Sequence, residues 1–250
     1  MNSDRPQYIA CLLGVLLITG IVFSACDSPL DIETPRNQYV EQVSVLPGKD
    51  IGTAVSVVFP VDTTGGDSSW TPAHFSMALV FDASGSISTQ MKEYFISAGN
   101  TFLDSLDGMA DEGTVVFFTQ DATVYQHTTT DVQSLRTAVN SLTPTGATAM
   151  WDGIYLATLE LQSKSTHVRK AVVVITDSDD NASDQGTPSA IIDLGVRSDI
   201  KVFTISMRGG SHELSLRNIA LGTGGRHYPQ PSLAQLNGIM KAIAAQLRAP

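Results

Sequence analysis

Only two of the 250 residues are cysteine, Cys11 and Cys26, and Cys11 lies inside a long apolar run, so no pair remains for an internal disulfide. A folded domain here has to be held by its hydrophobic core. Basic residues are scarce as well: 15 Lys and Arg face 25 Asp and Glu, for a net charge of −10. With no Lys/Arg cluster to relieve that balance, nucleic acid is excluded as a partner and cations are the natural company. His127, His167, His212 and His227 are dispersed, with no ligand spacing such as His-x-x-x-His, which argues against a histidine-built metal site. The stretches "TGATA" and "GTGG" lack the Gly-x-x-x-x-Gly-Lys of a phosphate loop. What is present, 42% hydrophobic and 16% charged residues, suits one globular domain with a sizeable core and a modest extra segment.

The long apolar run is "YIACLLGVLLITGIVFSA", Tyr8 to Ala25, uncharged and punctuated only by small residues. It reads as a targeting segment outside the fold. It ends in Phe23-Ser24-Ala25-Cys26, which resembles the lipobox of bacterial lipoproteins, with Phe23 where an aliphatic residue is usual. The resemblance implies that residues 1–25 are a signal peptide and that Cys26 is acylated and becomes the mature N-terminus. An uncleaved anchor is the alternative, because an apolar run of about 18 residues also spans a bilayer. Both readings put the remainder outside the cytoplasm, in the cell envelope, held to a membrane and facing the periplasm or the exterior. Residues 26–38 are polar and contain proline, as a flexible tether does. Residues 39–74 hold two short β-branched runs, "YVEQVSV" and "TAVSVVF", around the turn signal "LPGKD", and then a loop. This extension is too short to keep a core of its own.

From Phe75 to the C-terminus, residues 75–250, strand-like and helix-like segments alternate. "FSMALVF", "GTVVFFT", "KAVVVIT" and "KVFTISM" read as strands, mostly near-continuous apolar runs of the kind covered by helices on both faces. Ile87, Met91, Phe95, Ala98 and Phe102 follow helical steps, as do Trp151 to Leu161 and Leu233 to Leu247; Asp131 is placed as an N-cap and Gly222 as a helix terminator. The fold expected is α/β, a doubly wound and mostly parallel sheet with helices on both faces. "ATVYQH" follows "GTVVFFT" so closely that it should return as one antiparallel edge strand.

Ligands of such sheets bind at the carboxyl ends of strands near the topological switch point. "DASGS" (Asp82 to Ser86) and "TDSDDN" (Thr176 to Asn181) both follow strands and should meet there. Hard oxygen donors converging at one place suit a hard divalent cation. Taken alone, Ser84 and Ser86 could equally cap the next helix. Asp82-x-Ser84-x-Ser86 after an apolar strand, however, resembles the DxSxS motif of von Willebrand factor A (vWA) domains. Thr148 in "PTGATAMWDGI" matches the threonine of that family's second loop, and Asp177 in "VVVITDSDDN" the aspartate of its third. Ser178 stands where glycine is usual. Over roughly Phe75 to Arg248, the resemblance implies a Rossmann-like vWA fold with a metal-ion-dependent adhesion site. Its ligands would be Asp82, Ser84, Ser86, Thr148 and Asp177, direct or through water, and its cofactor a divalent cation, Mg²⁺ first, with Mn²⁺ or Ca²⁺ as alternatives. Asp179 and Asp180 read as solvated acids first and as cation-attracting groups second.

The function expected is a membrane-tethered module for cell adhesion or protein binding, engaging an Asp or Glu of a protein or glycoprotein partner through the cation. The alternative is an assembly subunit of an envelope complex with a mainly structural metal. An enzyme using Asp82 as nucleophile is disfavoured: Ser84 stands where a second carboxylate would be needed, and Lys170 begins its strand, at the wrong end of the sheet.

Overall fold

The computed structural model describes residues 73–249. The expected signal segment 1–25, the lipidation site Cys26, the tether 26–38 and all but the end of the extension 39–74 lie outside the described residues. Among the described residues no helix is long and apolar enough to cross a membrane.

The chain runs β1 (Phe75–Asp82), α1 (Thr89–Leu103), β2 (Glu112–Phe118), β3 (Ala122–Thr129), α2 (Val132–Asn140), α3 (Met150–Lys164), β4 (Arg169–Thr176), α4 (Pro188–Ser198), β5 (Ile200–Ser206), α5 (Glu213–Gly222), β6 (His227–Pro229) and α6 (Leu236–Arg248). One six-stranded sheet has the order β3-β2-β1-β4-β5-β6. All neighbours are parallel except β2 and β3, which confirms the antiparallel edge strand. β1 has β2 on one side and β4 on the other, so the crossovers leave β1 in opposite directions. The carboxyl ends of β1 and β4 therefore flank the switch point.

Strand alternation divides the core in two. Met77, Leu79 and Phe81 pack with Phe95 of α1, Leu135 of α2 and Ile243 of α6, whereas Ala78 and Val80 pack with Ile154 of α3, Ile191 of α4 and Ile219 of α5. Each large side chain buried in these layers contributes on the order of 1.5–3 kcal/mol. That is how a chain without a disulfide in this region holds a rigid frame.

Caps fix where several helices begin. The Met91 N–H donates to Ser88 Oγ (3.2 Å) at α1, and Gln133 and Ser134 donate to Asp131 Oδ1 (3.0 and 3.3 Å) at α2, as expected for Asp131. Three details depart from expectation. Ile87 precedes α1, buried in the loop with its N–H bonded to the Ser84 carbonyl (3.2 Å). Leu233 belongs to a 3-10 turn, Leu233–Gln235, ahead of α6. Gly222 is the last residue of α5 rather than its terminator, because the Thr223 hydroxyl bonds the Ile219 carbonyl (2.8 Å) and prolongs the turn; the left-handed residue is Gly224, at φ +75°.

Candidate metal centre

Three loops meet at the carboxyl ends of β1 and β4. The first, Ala83 to Ser88, is held by backbone bonds to the end of β2 and to the loop before α3: Ala83 N–H to Phe118 O (2.9 Å), Thr145 N–H to Ala83 O (2.7 Å) and Gly85 N–H to Gly146 O (3.1 Å). Gly146 adopts φ +72°, a conformation that favours glycine, and so turns its carbonyl toward Gly85. In the second loop, Thr148 is clamped from both sides by Asn181. Its N–H donates to Asn181 Oδ1 (2.9 Å), and its carbonyl accepts from the Asn181 N–H (2.9 Å). None of these bonds uses the Thr148 hydroxyl.

All five expected ligands come together here. Ser84 and Ser86 hydroxyls are 2.9 Å apart, and Ser86 Oγ donates to Asp177 Oδ1 at 2.7 Å. Asp82 lies beneath them, accepting from the Ser84 N–H (2.8 Å), the Thr176 hydroxyl (2.7 Å) and the Asp177 N–H (3.3 Å). Asp82, Ser84, Thr148 and Asp177 are buried and Ser86 is exposed at the rim. An open cavity of about 420 Å³ is lined by Ser84, Ser86, Thr148, Asp177 and Arg208, among others. Larger cavities of about 510 and 600 Å³ occur elsewhere and contain none of the expected ligands. Neither serine caps α1, since Ser88 does that, so the capping explanation for Ser84 and Ser86 is removed.

The electrostatics are unbalanced. Burial pushes the Asp82 carboxyl above the usual carboxylate range; hydrogen bonds from Ser84 and Thr176 oppose the shift, and the neighbouring Asp177 charge adds to it. The Asp177 side chain has no exposed surface, and its Oδ2 has no hydrogen-bond partner. A buried, unsatisfied carboxylate oxygen costs about 1–3 kcal/mol or more unless something positive meets it. Two carboxylates and three hydroxyls, all oxygen, fit a hard divalent cation. Among the described residues no group of three or more His, Cys, Asp or Glu is arranged to hold a metal.

The acids after Asp177 serve the loop framework. Asp179 accepts from the Ser211 N–H and hydroxyl (3.1 and 2.9 Å) and the His212 N–H (3.1 Å). Its burial is outweighed by these bonds, and its carboxyl is held below the usual range. Asp180 Oδ1 accepts from the Trp151 N–H (3.2 Å), standing in for the cap that Ala149 cannot provide to α3. The Asp180 N–H donates to His212 Nδ1 (2.9 Å), which makes that ring nitrogen an acceptor. Four contributors were not legible as site residues. Asn181 stands in the sequence only as the last residue of "TDSDDN". Ser178, beyond its departure from glycine, places its hydroxyl 2.6 Å from Ser86 Oγ and donates to Asp177 Oδ1 (2.7 Å). His212 is one of the dispersed histidines without ligand spacing, and Arg208 belongs to no motif; its signal is a cation two residues past the end of β5.

Comparison with known proteins agrees with this fold. A family model for the von Willebrand factor type A domain matches residues 76–242. No curated protein sequence matches the chain. Among solved structures, the chain is similar to the conserved hypothetical protein BatB from Bacteroides thetaiotaomicron, at 19% identity over 69% of this chain and 98% of that one, with a TM-score of 0.56. The vWF domain of the type V pili tip protein Mfa5 from Porphyromonas gingivalis shares 14% identity over 71% and 96%, with a TM-score of 0.58. Proximal thread matrix protein 1 from the mussel byssus, with a zinc-occupied MIDAS motif, shares 23% over 70% of this chain and 46% of its own, with a TM-score of 0.61.

Proposed function

The chain belongs to the von Willebrand factor type A domain family, and from that premise we propose that it is a divalent-cation-dependent protein-binding module. Ser84, Ser86 and Thr148 would supply hydroxyl oxygens, with Asp82 and Asp177 supplying charge. A bound divalent cation would supply a Lewis-acidic coordination position, which a carboxylate of a protein or glycoprotein partner would complete. The observation that carries the reading is the unsatisfied, fully buried Asp177 Oδ2 beside three converging hydroxyl-bearing residues. Mg²⁺ is the cation we favour, on the all-oxygen donor set, with Mn²⁺ and Ca²⁺ as alternatives.

The site reads as binding rather than catalysis. Asp82 has no exposed surface and both its oxygens accept hydrogen bonds, so it is not presented as a nucleophile. Lys170 is the second residue of β4, at the opposite end of the sheet. The apolar run ending at Cys26 supports an envelope setting with a lipid anchor, and a membrane protein and a pilus-tip domain among the structural neighbours are compatible with it. The test is capture of Asp- or Glu-containing peptides by the full chain. Retention in Mg²⁺ that is lost in chelator and in Asp177→Asn supports the proposal; retention that persists in chelator points instead to an assembly subunit with a structural metal.

A further inference from the structure

Among the described residues, Arg208 is the one cation lining the cavity of the candidate centre. Its Nη2 lies 3.6 Å from Asp177 Oδ2, too far for a hydrogen bond and close enough for an ion pair, and this is the same oxygen that has no other partner. The Arg208 side chain is 61% exposed while that of Asp177 is 0% exposed. Such a half-solvated pair is weak, because water screens the guanidinium. The backbone around it is fixed. Met207 N–H donates to Thr176 O (2.8 Å), Ser206 Oγ donates to Arg208 O (2.5 Å), and Asp179 holds Ser211 and His212 beyond. Arg208 is thus a solvent-exposed charge on a hydrogen-bonded mount, anchored to the loop that carries Asp177.

We infer that Arg208 exchanges partners: it competes with the divalent cation for Asp177 and, once the cation has displaced it, takes a second contact on the acidic ligand. This rests on the metal-binding reading above. A cation and a guanidinium facing one carboxylate oxygen repel one another, so Arg208 lowers cation affinity. The displaced guanidinium stays at the rim, where its planar donors suit a carboxylate bidentately, as a lysine ammonium does not. Ligands with two carboxyl groups, or acidic pairs on a protein, are the chemistry it selects.

The test is calorimetric titration of the full chain with Mn²⁺, followed by glutarate in saturating Mn²⁺. Arg208→Gln should bind Mn²⁺ on the order of tenfold more tightly, the effect of removing one nearby, partly screened charge, and glutarate several-fold more weakly. Arg208→Lys should keep the wild-type Mn²⁺ affinity while still losing glutarate affinity. Equal Mn²⁺ affinity in wild type and Arg208→Gln overturns the competition and leaves the metal centre standing. Failure of the wild type to bind glutarate, or unchanged glutarate affinity in Arg208→Gln, overturns the ligand contact. Absence of Mn²⁺ binding in both wild type and Arg208→Gln removes the metal-centre reading itself.

Discussion

At the amino ends of the strands, Glu112 is surrounded by donors: Ser76 Oγ at 2.6 Å, the Thr166 N–H at 2.9 Å and the Thr166 hydroxyl at 2.8 Å, with His167 at 3.5 Å. Beside it Asp111 accepts from the Phe75 and Asp107 N–H groups (3.1 and 2.7 Å) and from Arg248. At the carboxyl ends, Asp82 and Asp177 are as deeply buried, but two acids adjoin one another and the nearest guanidinium is half in solvent. Burial acts to raise both Glu112 and Asp82, yet the hydrogen bonds and His167 bring Glu112 below the usual range whereas Asp82 stays above it. One pole carries its own counter-charges; the other has only the half-solvated Arg208 facing Asp177, and on the proposed reading a cation from outside would complete it.

The contrast is easiest to break at the structural pole. Arg248→Met strands Asp111 and should cost roughly 3 kcal/mol in denaturant unfolding, by the same amount in Mg²⁺ and in chelator. At the other pole, Mg²⁺ or Mn²⁺ at a hundredfold over its dissociation constant should add about 2.7 kcal/mol to the wild type, and nothing to Asp82→Ala. The two acids should also answer to pH in opposite senses. Glu112 sits below its unfolded value, so its contribution is present above the unfolded pKa and lost as pH falls through the folded one. Glu112→Gln should accordingly lose about 1–2 kcal/mol at neutral pH. Asp82 sits above its reference, so its stability is full below 3.8 and lost as pH rises through the folded pKa. Asp82→Asn imitates the protonated form and in chelator should unfold no earlier than wild type at neutral pH. The smallest effect is expected for Ser178→Gly, about 0.5–1 kcal/mol in cation affinity, because only one neutral hydroxyl, with its contacts to Asp177 Oδ1 and Ser86 Oγ, is lost.

The strands were legible because buried parallel strands must be apolar throughout, and β4 reads "AVVVI" across its centre. Asp82, Ser84, Ser86 and Asp177 were legible because they close or follow those strands in sequence, whereas Thr148, between α2 and α3, was legible only through the family motif. Arg208 and Asn181 were hidden for the opposite reason: their roles depend on which loops the topology brings side by side, a relation between residues far apart in the chain. Asp180 misled in a third way, since an acid in a run of acids reads as solvated until α3 is seen to begin beside it without a cap of its own.

The most direct measurement is thermal unfolding of the full chain in detergent with excess Mg²⁺ or Mn²⁺ and then with chelator, for wild type, Asp82→Asn and Glu112→Gln. A metal-dependent rise in midpoint that persists in Glu112→Gln and vanishes in Asp82→Asn is the predicted result. The same midpoint with and without metal in the wild type, or a rise that survives in Asp82→Asn, would contradict a cation centre at the carboxyl ends of β1 and β4.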